Sequence, residues 1–130
     1  MPRFNGICLV TPDVIRLRDF YRTVLDVEGE GTESFVQLKT SGAVISIFCE
    51  SGMERMAPGS MRNHGHGGYT IEFEVEDVDA EYERLMDLRV PIVKMPSTQT
   101  WGRRSVWFRD PAGNIINFYS NVANDNVTTD

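Results

Sequence analysis

The chain is poor in the residues that build disulfide frameworks and nucleic-acid interfaces. It has only two cysteines in 130 residues, and its 13 Lys and Arg are outnumbered by 19 Asp and Glu. The resulting net charge of −6 argues against binding to a phosphate backbone, which requires clustered basic side chains. We therefore predict a protein that does not bind nucleic acid.

Long apolar segments are also missing. No apolar run approaches the roughly 20 residues needed to span a bilayer, and the start, Met1–Asn5, lacks the apolar core of a secretory signal. We expect a cytoplasmic protein without membrane contact. Cys8 and Cys49 each lie in a β-like segment, which favours two buried, reduced thiols over the alternative of a disulfide between them.

One stretch, Ser105–Asn121, has a strong local pattern. Val106–Phe108 and Ile115–Tyr119 are rich in the aromatic and β-branched residues that favour strands. Asp110–Asn114 lies between them and consists of Asp, Pro, Ala, Gly and Asn, which are residues typical of turns. The stretch therefore predicts a β-hairpin.

The same unit occurs earlier in the chain. Phe35–Phe48 has the same order of strand, turn and strand, and Ser46 takes the position that Asn117 has in the later copy. Asp13 and Asp77 each follow a strand-like run and precede a helical pattern. The chain thus consists of two copies of a strand–helix–hairpin module.

Two helices and one irregular segment complete the predicted elements. Helices are expected over Val14–Leu25 and Val78–Leu88, each with an Asp as its N-cap. Glu50–Gly68 is rich in Gly and Met and predicts an irregular segment, either a functional loop or a linker. Within it, His64 and His66 are interpreted as solvated or loop-ordering side chains; a metal site is the alternative.

The two modules and the Asp-Pro-Ala-Gly-Asn turn, with Phe108 and Ile115 beside it, resemble the vicinal oxygen chelate superfamily. That superfamily includes glyoxalase I, extradiol dioxygenases, fosfomycin-resistance enzymes and bleomycin-resistance proteins. The resemblance covers roughly residues 4–120. It implies an α+β fold in which two βαβββ modules form a curled mixed sheet around a cavity, usually in a homodimer.

The same resemblance implies a domain organisation. We expect a single domain over residues 1–122, with modules at about 4–50 and 68–120. The loop 51–67 would join them, and residues 123–130 would form a polar C-terminal tail.

Metal-dependent members of this superfamily carry His, Glu or Gln at four cavity-facing positions. The resemblance places these positions at Gly6, Ser46, Thr70 and Asn117. None of these residues is a usual ligand of a divalent metal. We therefore predict no cofactor and a small-molecule binding protein similar to the metal-free bleomycin-resistance members. A divalent metal in an atypical site is the alternative.

Period-two alternation indicates which side chains face the cavity. The predicted ligand-binding residues are Ser46, Phe48, Thr70, Glu72, Trp101, Asn117 and Tyr119. Glu72 is also a candidate general base, which would make the chain an enzyme of the superfamily. The alternative for Glu72 is a solvated carboxylate, or one paired with Arg103 or Arg104.

Two aromatic residues of this set have alternatives of their own. Trp101 is expected in a loop over the mouth of the cavity, or else packed on a dimer partner. Tyr119 either donates a hydrogen bond to the ligand or packs as an apolar ring.

Overall fold

Each half of the chain folds as a strand, a helix and a sheet-forming hairpin. The computed structural model describes residues 1–65 and 68–122. The chain divides after Gly65 into two compact units. The first contains β1 (Gly6–Thr11), α1 (Val14–Leu25), β2 (Gly29–Gly31), β3 (Phe35–Leu38), β4 (Val44–Cys49) and α2 (Glu50–Met56). The second contains β5 (Thr70–Glu74), α3 (Val78–Asp87), β6 (Ile92–Thr98), β7 (Arg103–Arg109) and β8 (Ile115–Asn121).

Both units have the same sheet topology. The strand order is β1-β4-β3-β2 in the first sheet and β5-β8-β7-β6 in the second. β1 runs parallel to β4 and β5 runs parallel to β8, while the other pairs are antiparallel. The predicted α+β fold of two βαβββ modules is confirmed. The register also follows the internal repeat, since Ser46 lies opposite Cys8 and Asn117 lies opposite Glu72.

The two main helices begin where their caps predict. The side chain of Asp13 accepts a hydrogen bond from the backbone N–H of Arg16, and Asp77 accepts one from Ala80, both at 3.1 Å. These bonds satisfy N–H groups that have no partner inside the helix.

Apolar side chains along each helix then pack on one face of the neighbouring sheet, which leaves the other face for polar residues. The fully buried side chains of these two cores include Leu17, Tyr21, Val36, Ile47, Leu85, Val106, Phe108 and Ile116.

The turn between β7 and β8 is held by Asp110, which is only 5% exposed. Its Oδ1 accepts from the backbone N–H groups of Ala112 and Asn114, both at 2.9 Å, and its Oδ2 accepts from the Asn114 side chain at 2.8 Å. Gly113 has a φ of +90°, a conformation that a side chain would disfavour. The hydroxyl of Tyr69 donates to Asn114 at 2.7 Å, so this turn also anchors the start of β5.

Three predicted elements differ from the structure. Glu50–Gly68 is not irregular at its start, because Glu50–Met56 forms α2. Its N-cap is Cys49, whose sulfur accepts from the Gly52 N–H at 3.2 Å, and cysteine is not a capping residue that sequence patterns favour. The sequence predicts a strand over Ile92–Met95, but β6 extends to Thr98, because an edge strand tolerates Pro96 and the two shifts in register with β7. The second main helix ends at Asp87, one residue earlier than predicted.

Both cysteines are free thiols. Cys49 lies three positions after Ser46, which lies opposite Cys8, so the two sulfurs are on opposite faces of the first sheet. Cys8 is exposed and not buried as predicted, since it lies on the sheet face that α1 does not cover.

The remaining predictions concern the loop, the tail and the membrane. The ring of His64 hydrogen-bonds the backbone carbonyl of Met61, which fits the loop-ordering interpretation. His66 and the predicted tail 123–130 lie outside the described residues. Among the described residues, no helix has the length and apolar character needed to cross a membrane.

Candidate functional site

Four side chains form a row across the second sheet. Glu72 lies opposite Asn117, Asn117 lies opposite Trp107, and Trp107 lies opposite Lys94. Residues directly opposite one another on adjacent strands project from the same face. Their neighbours along the strands, among them Ile71, Val106, Ile116 and Phe118, are buried in the core below α3. The row therefore occupies the face that the helix does not cover.

Glu72 is held in place by two donors. The Asn117 Nδ2 donates to Glu72 Oε2 at 3.1 Å, and Arg103 Nη1 approaches the same oxygen at 3.4 Å. Arg103 also lies 3.7 Å from the centroid of the Tyr119 ring, in the geometry of a cation–π contact. Glu72 thus faces away from the helix layer, as alternation predicts, and it is paired with Arg103, one of the two arginines considered for it.

Lys94 occupies the other end of the row. Its Nζ donates to Ser97 Oγ at 2.8 Å and to the carbonyl oxygen of Ser105 at 3.2 Å. The same ammonium lies 5.4 Å from the centroid of the Trp107 ring. The register shifts on either side of Lys94 aim its side chain back over the sheet, a common role of β-bulges near functional sites.

Two atoms in the middle of the row are buried without a hydrogen-bond partner among the described residues: Trp107 Nε1 and Asn117 Oδ1. The Asn117 side chain is well enclosed, since the residue is only 5% exposed. Leaving a buried donor or acceptor unsatisfied costs about 1–3 kcal/mol, so such groups are rare in native proteins. Because Trp107 and Asn117 are directly opposite one another, the two unsatisfied atoms belong to side chains that project from the same face at paired positions.

The first module has a corresponding row of different chemistry. Its members are Cys8, Ser46, Gln37 and Glu30, in the same strand order. Glu30 is engaged by Lys39 at 2.6 Å. A pocket of about 460 Å³ lies along β2 and β3 and is lined by Gln37, Phe35 and Val44 among others.

The four family metal positions do not fit a divalent metal. A Cβ built on Gly6 would lie 2.2 Å from the carbonyl oxygen of Val44, so the backbone leaves no room for a side chain there. Asn117 offers only a neutral amide oxygen, and Ser46 and Thr70 offer only neutral hydroxyls, which are weak ligands of a divalent metal. Within residues 1–65 and 68–122, no three His, Cys, Asp or Glu side chains group together in a way that could hold a metal ion.

The predicted ligand-binding residues fall into three groups. Glu72, Asn117 and Tyr119 come together in the second module, and Thr70 lies on the same face opposite Ile115. Ser46 lies in the row of the first module, with Phe48 on the same face next to Phe35, at 6.1 Å between ring centroids. Trp101 is 71% exposed in the turn after β6 and is not part of either row.

Sequence reasoning missed Trp107 and Lys94. Period-two alternation along Arg103–Arg109 would have placed Trp107 on the same face as Arg103, and the internal repeat aligns Trp107 with Gln37. Lys94 could not have been found in this way, because the shifts in register around it leave no mark in the sequence.

Comparison with known proteins agrees with the topology. Residues 3–118 match the model of the Glyoxalase/Bleomycin resistance protein/Dioxygenase superfamily. A lactoylglutathione lyase from Agrobacterium tumefaciens is 25% identical, with a TM-score of 0.72 over 91% of this chain and 92% of that one. A glyoxalase/bleomycin resistance protein/dioxygenase family enzyme from Burkholderia phytofirmans PsJN has a TM-score of 0.84 at 16% identity, over 93% of this chain and 100% of that one.

A curated relative is similar over a shorter stretch. The uncharacterized protein YraH of Bacillus subtilis (strain 168) is 33% identical over 61 residues, which is 46% of this chain. The chain spans about half of that relative, 48% of its length. Because the family model matches residues 3–118, which is most of the chain, this chain belongs to the glyoxalase/bleomycin resistance protein/dioxygenase superfamily.

Proposed function

We propose that the second module binds a small organic molecule on the row of Glu72, Asn117, Trp107 and Lys94, without a catalytic metal. The observation that carries the proposal is the pair of buried, unsatisfied atoms, Trp107 Nε1 and Asn117 Oδ1. A ligand that displaces the side chains covering these two atoms and hydrogen-bonds them would recover the free energy that their burial costs. Aromatic surface from Trp107 and Tyr119 would supply apolar contact around a few oriented polar groups, the usual composition of a small-molecule site.

The residues at the four family metal positions support a site without a metal. Gly6 has no room for a side chain that could ligate a metal, and Ser46, Thr70 and Asn117 offer only neutral oxygens. The family activities that require a metal are therefore not proposed for this chain. Binding and release of an unmodified molecule, as in the bleomycin-resistance members, needs only the sheet face.

A binding screen on chelator-treated protein tests the proposal. We expect small aromatic and heterocyclic compounds to shift the NMR resonances of Glu72, Asn117 and Trp107 in protein freed of metal. Asn117→Leu should weaken that binding. The matched control is Asn121→Leu, the same substitution at an exposed position of the same strand, which should leave binding intact.

Metal analysis gives the outcome that would contradict this proposal. If the purified protein holds about one zinc, nickel, iron or manganese ion per chain, and ligand binding disappears on its removal, the metal-free interpretation is wrong. The same titrations with added metal should otherwise leave the ligand affinity unchanged.

The second candidate function is catalysis by Glu72. Its carboxylate is 47% exposed on the sheet face, so a bound molecule can reach it, and the similar lactoylglutathione lyase shows that the superfamily includes enzymes. For a general base, Glu72→Gln should abolish turnover of a bound compound while leaving its affinity nearly unchanged. For a binding protein, the same substitution changes affinity alone and no compound is converted.

A further inference from the structure

We infer that the pair Trp107 Nε1 and Asn117 Oδ1 receives one amide-type group of the ligand, a lactam or a primary carboxamide. This inference rests on the proposed function and names the chemical class that the site takes. An amide carries an acceptor oxygen and a donor N–H side by side. The row presents the complementary pair, a donor on one strand and an acceptor on the next, from side chains directly opposite each other.

The orientation of the Asn117 amide is determined by its neighbour. Its Nδ2 donates to the carboxylate of Glu72 at 3.1 Å. A rotated amide would direct its oxygen at that carboxylate, placing two acceptors together, so the oxygen must point the other way. Arg103 holds the same carboxylate oxygen at 3.4 Å and reinforces this arrangement. The open atom of Asn117 is therefore an acceptor.

The open atom of Trp107 can only donate, because an indole has no acceptor nitrogen. A carboxylate would satisfy this donor but would set a negative oxygen against Asn117 Oδ1. An ammonium would satisfy Asn117 and leave the indole unpaired. A neutral group that both accepts and donates satisfies Trp107 Nε1 and Asn117 Oδ1 together. An amide does so with the oxygen and the N–H that are attached to one carbonyl carbon.

The charged side chains at the ends of the row are occupied by protein contacts. Arg103 contacts Glu72 and the Tyr119 ring, and Lys94 contacts Ser97, Ser105 and the Trp107 ring. These side chains lie on either side of Asn117 and Trp107. Because they already contact protein groups, they do not require an opposite charge on the ligand. The planar amide group of a lactam also suits a position beside the indole.

The experiment uses δ-valerolactam as the probe, with heteronuclear NMR of the full chain. The indole resonance of Trp107 is assigned with a Trp101→Phe variant, because the chain has two tryptophans. We expect the lactam to shift the Trp107 indole resonance with saturation, and not that of Trp101. The N-methyl lactam, which lacks the donor, should bind about tenfold more weakly, the ratio that one hydrogen bond typically supports.

Two further probes and one variant separate the possible outcomes. Pentanoate and pentylammonium match the lactam in size and carry one charge each, and neither should saturate the site. Asn117→Leu removes the acceptor of the ligand N–H, so it should reduce the preference for the lactam over its N-methyl form to near unity. The Asn121→Leu control should retain that preference.

Equal binding of the lactam and its N-methyl form, or tighter binding of pentanoate, would overturn the inference and leave the proposed binding function standing. An unshifted Trp107 resonance throughout the lactam titration would also overturn it, because the ligand amide would then make no contact with the indole N–H. The proposed function fails separately, if no compound of the wider screen perturbs the row.

Discussion

The pKa values of the two cysteine thiols are shifted in opposite directions. The pKa of Cys49 is lowered, first by a hydrogen bond from the Ser51 hydroxyl at 3.4 Å and further by the Gly52 N–H, Ser34 and Arg55. The side chain of Cys8 is exposed, but partial desolvation by neighbouring residues raises its pKa. A lower pKa gives a larger fraction of thiolate, the reactive form, at neutral pH.

We predict that iodoacetamide modifies Cys49 before Cys8 at neutral pH, although Cys8 is the more exposed residue. Mass spectrometry of partially alkylated protein measures the order, and the rate at Cys49 should reach half its maximum at a lower pH than the rate at Cys8. Ser51→Ala should slow the reaction at Cys49 and leave Cys8 unchanged. Faster modification of Cys8 would show that access, and not thiolate fraction, controls the reaction.

At Gly6, a close contact with the backbone of β4 leaves no room for a side chain that could ligate a metal. We predict that Gly6→Ala lowers the free energy of unfolding by about 1–3 kcal/mol, since the added Cβ would lie 2.2 Å from a backbone oxygen of Val44 and force β1 and β4 apart. The control is Gly42→Ala, where nothing lies within 4 Å of the added carbon. Chemical denaturation measures both; similar stability of the two variants would contradict the close approach.

At the scale of elements, an ion pair fastens α3 to β7. Arg104 donates from Nε and Nη2 to the two carboxylate oxygens of Asp79 at 3.0 and 2.7 Å, and from Nη1 to Thr98 at 3.1 Å. The hydrogen bond from Arg104 lowers the pKa of Asp79, and the same bond raises the pKa of Arg104. A carboxyl whose pKa is lower in the folded state stabilises the fold above its unfolded pKa and loses that contribution as the pH falls through the folded pKa.

We predict that Arg104→Met lowers the free energy of unfolding by about 0.5–1 kcal/mol at pH 7, a modest value because Asp79 is 61% exposed. The difference from the unmodified chain should shrink below about pH 4, as Asp79 becomes protonated. Urea denaturation over a pH series measures it. Lys39→Met removes the more exposed pair with Glu30 and should change stability less. The hydrogen bond from Arg104 to Thr98 does not depend on this pH range, so only an Arg104 effect that is undiminished at pH 2 would rule out a contribution from the ion pair.

The whole molecule has exposed features that suggest self-association. Each four-stranded sheet, taken by itself, ends in two edge strands, β1 and β2 in one and β5 and β6 in the other. Edge strands leave backbone groups unpaired, and Val93 and Met95 on β6 are also exposed apolar side chains. We therefore predict a symmetric homodimer. Sedimentation equilibrium should give twice the chain mass of 14.7 kDa at micromolar concentration; the mass of a single chain would contradict it.

The cytoplasmic location and the lack of nucleic-acid binding stay predictions from composition. The enclosed cavity that the family resemblance implies stays a prediction as well.

The amino-acid sequence by itself determined the modules, their order and most of their elements. Asp13 and Asp77 mark the helix starts because a side-chain cap is a local interaction. The Asp110–Asn114 turn and the alternation in Thr70–Glu74 are equally local, and the internal repeat placed Ser46 and Asn117 at matching positions. Such features could be predicted because each depends on residues that are close together along the chain.

Only the tertiary structure decided the composition of the site. Trp107 and Lys94 join Asn117 through the register of three strands, and the shifts in β6 that aim Lys94 depend on pairing with β7 and not on local sequence. The unsatisfied atoms at the centre of the row arise in the same way. Glu72, which is 45 residues away in the chain, accepts a hydrogen bond from Asn117 Nδ2. Asn117 Oδ1 is left without a partner among the described residues. Contacts between distant segments form only when the sheet assembles, so the position of such a pair is a property of the fold.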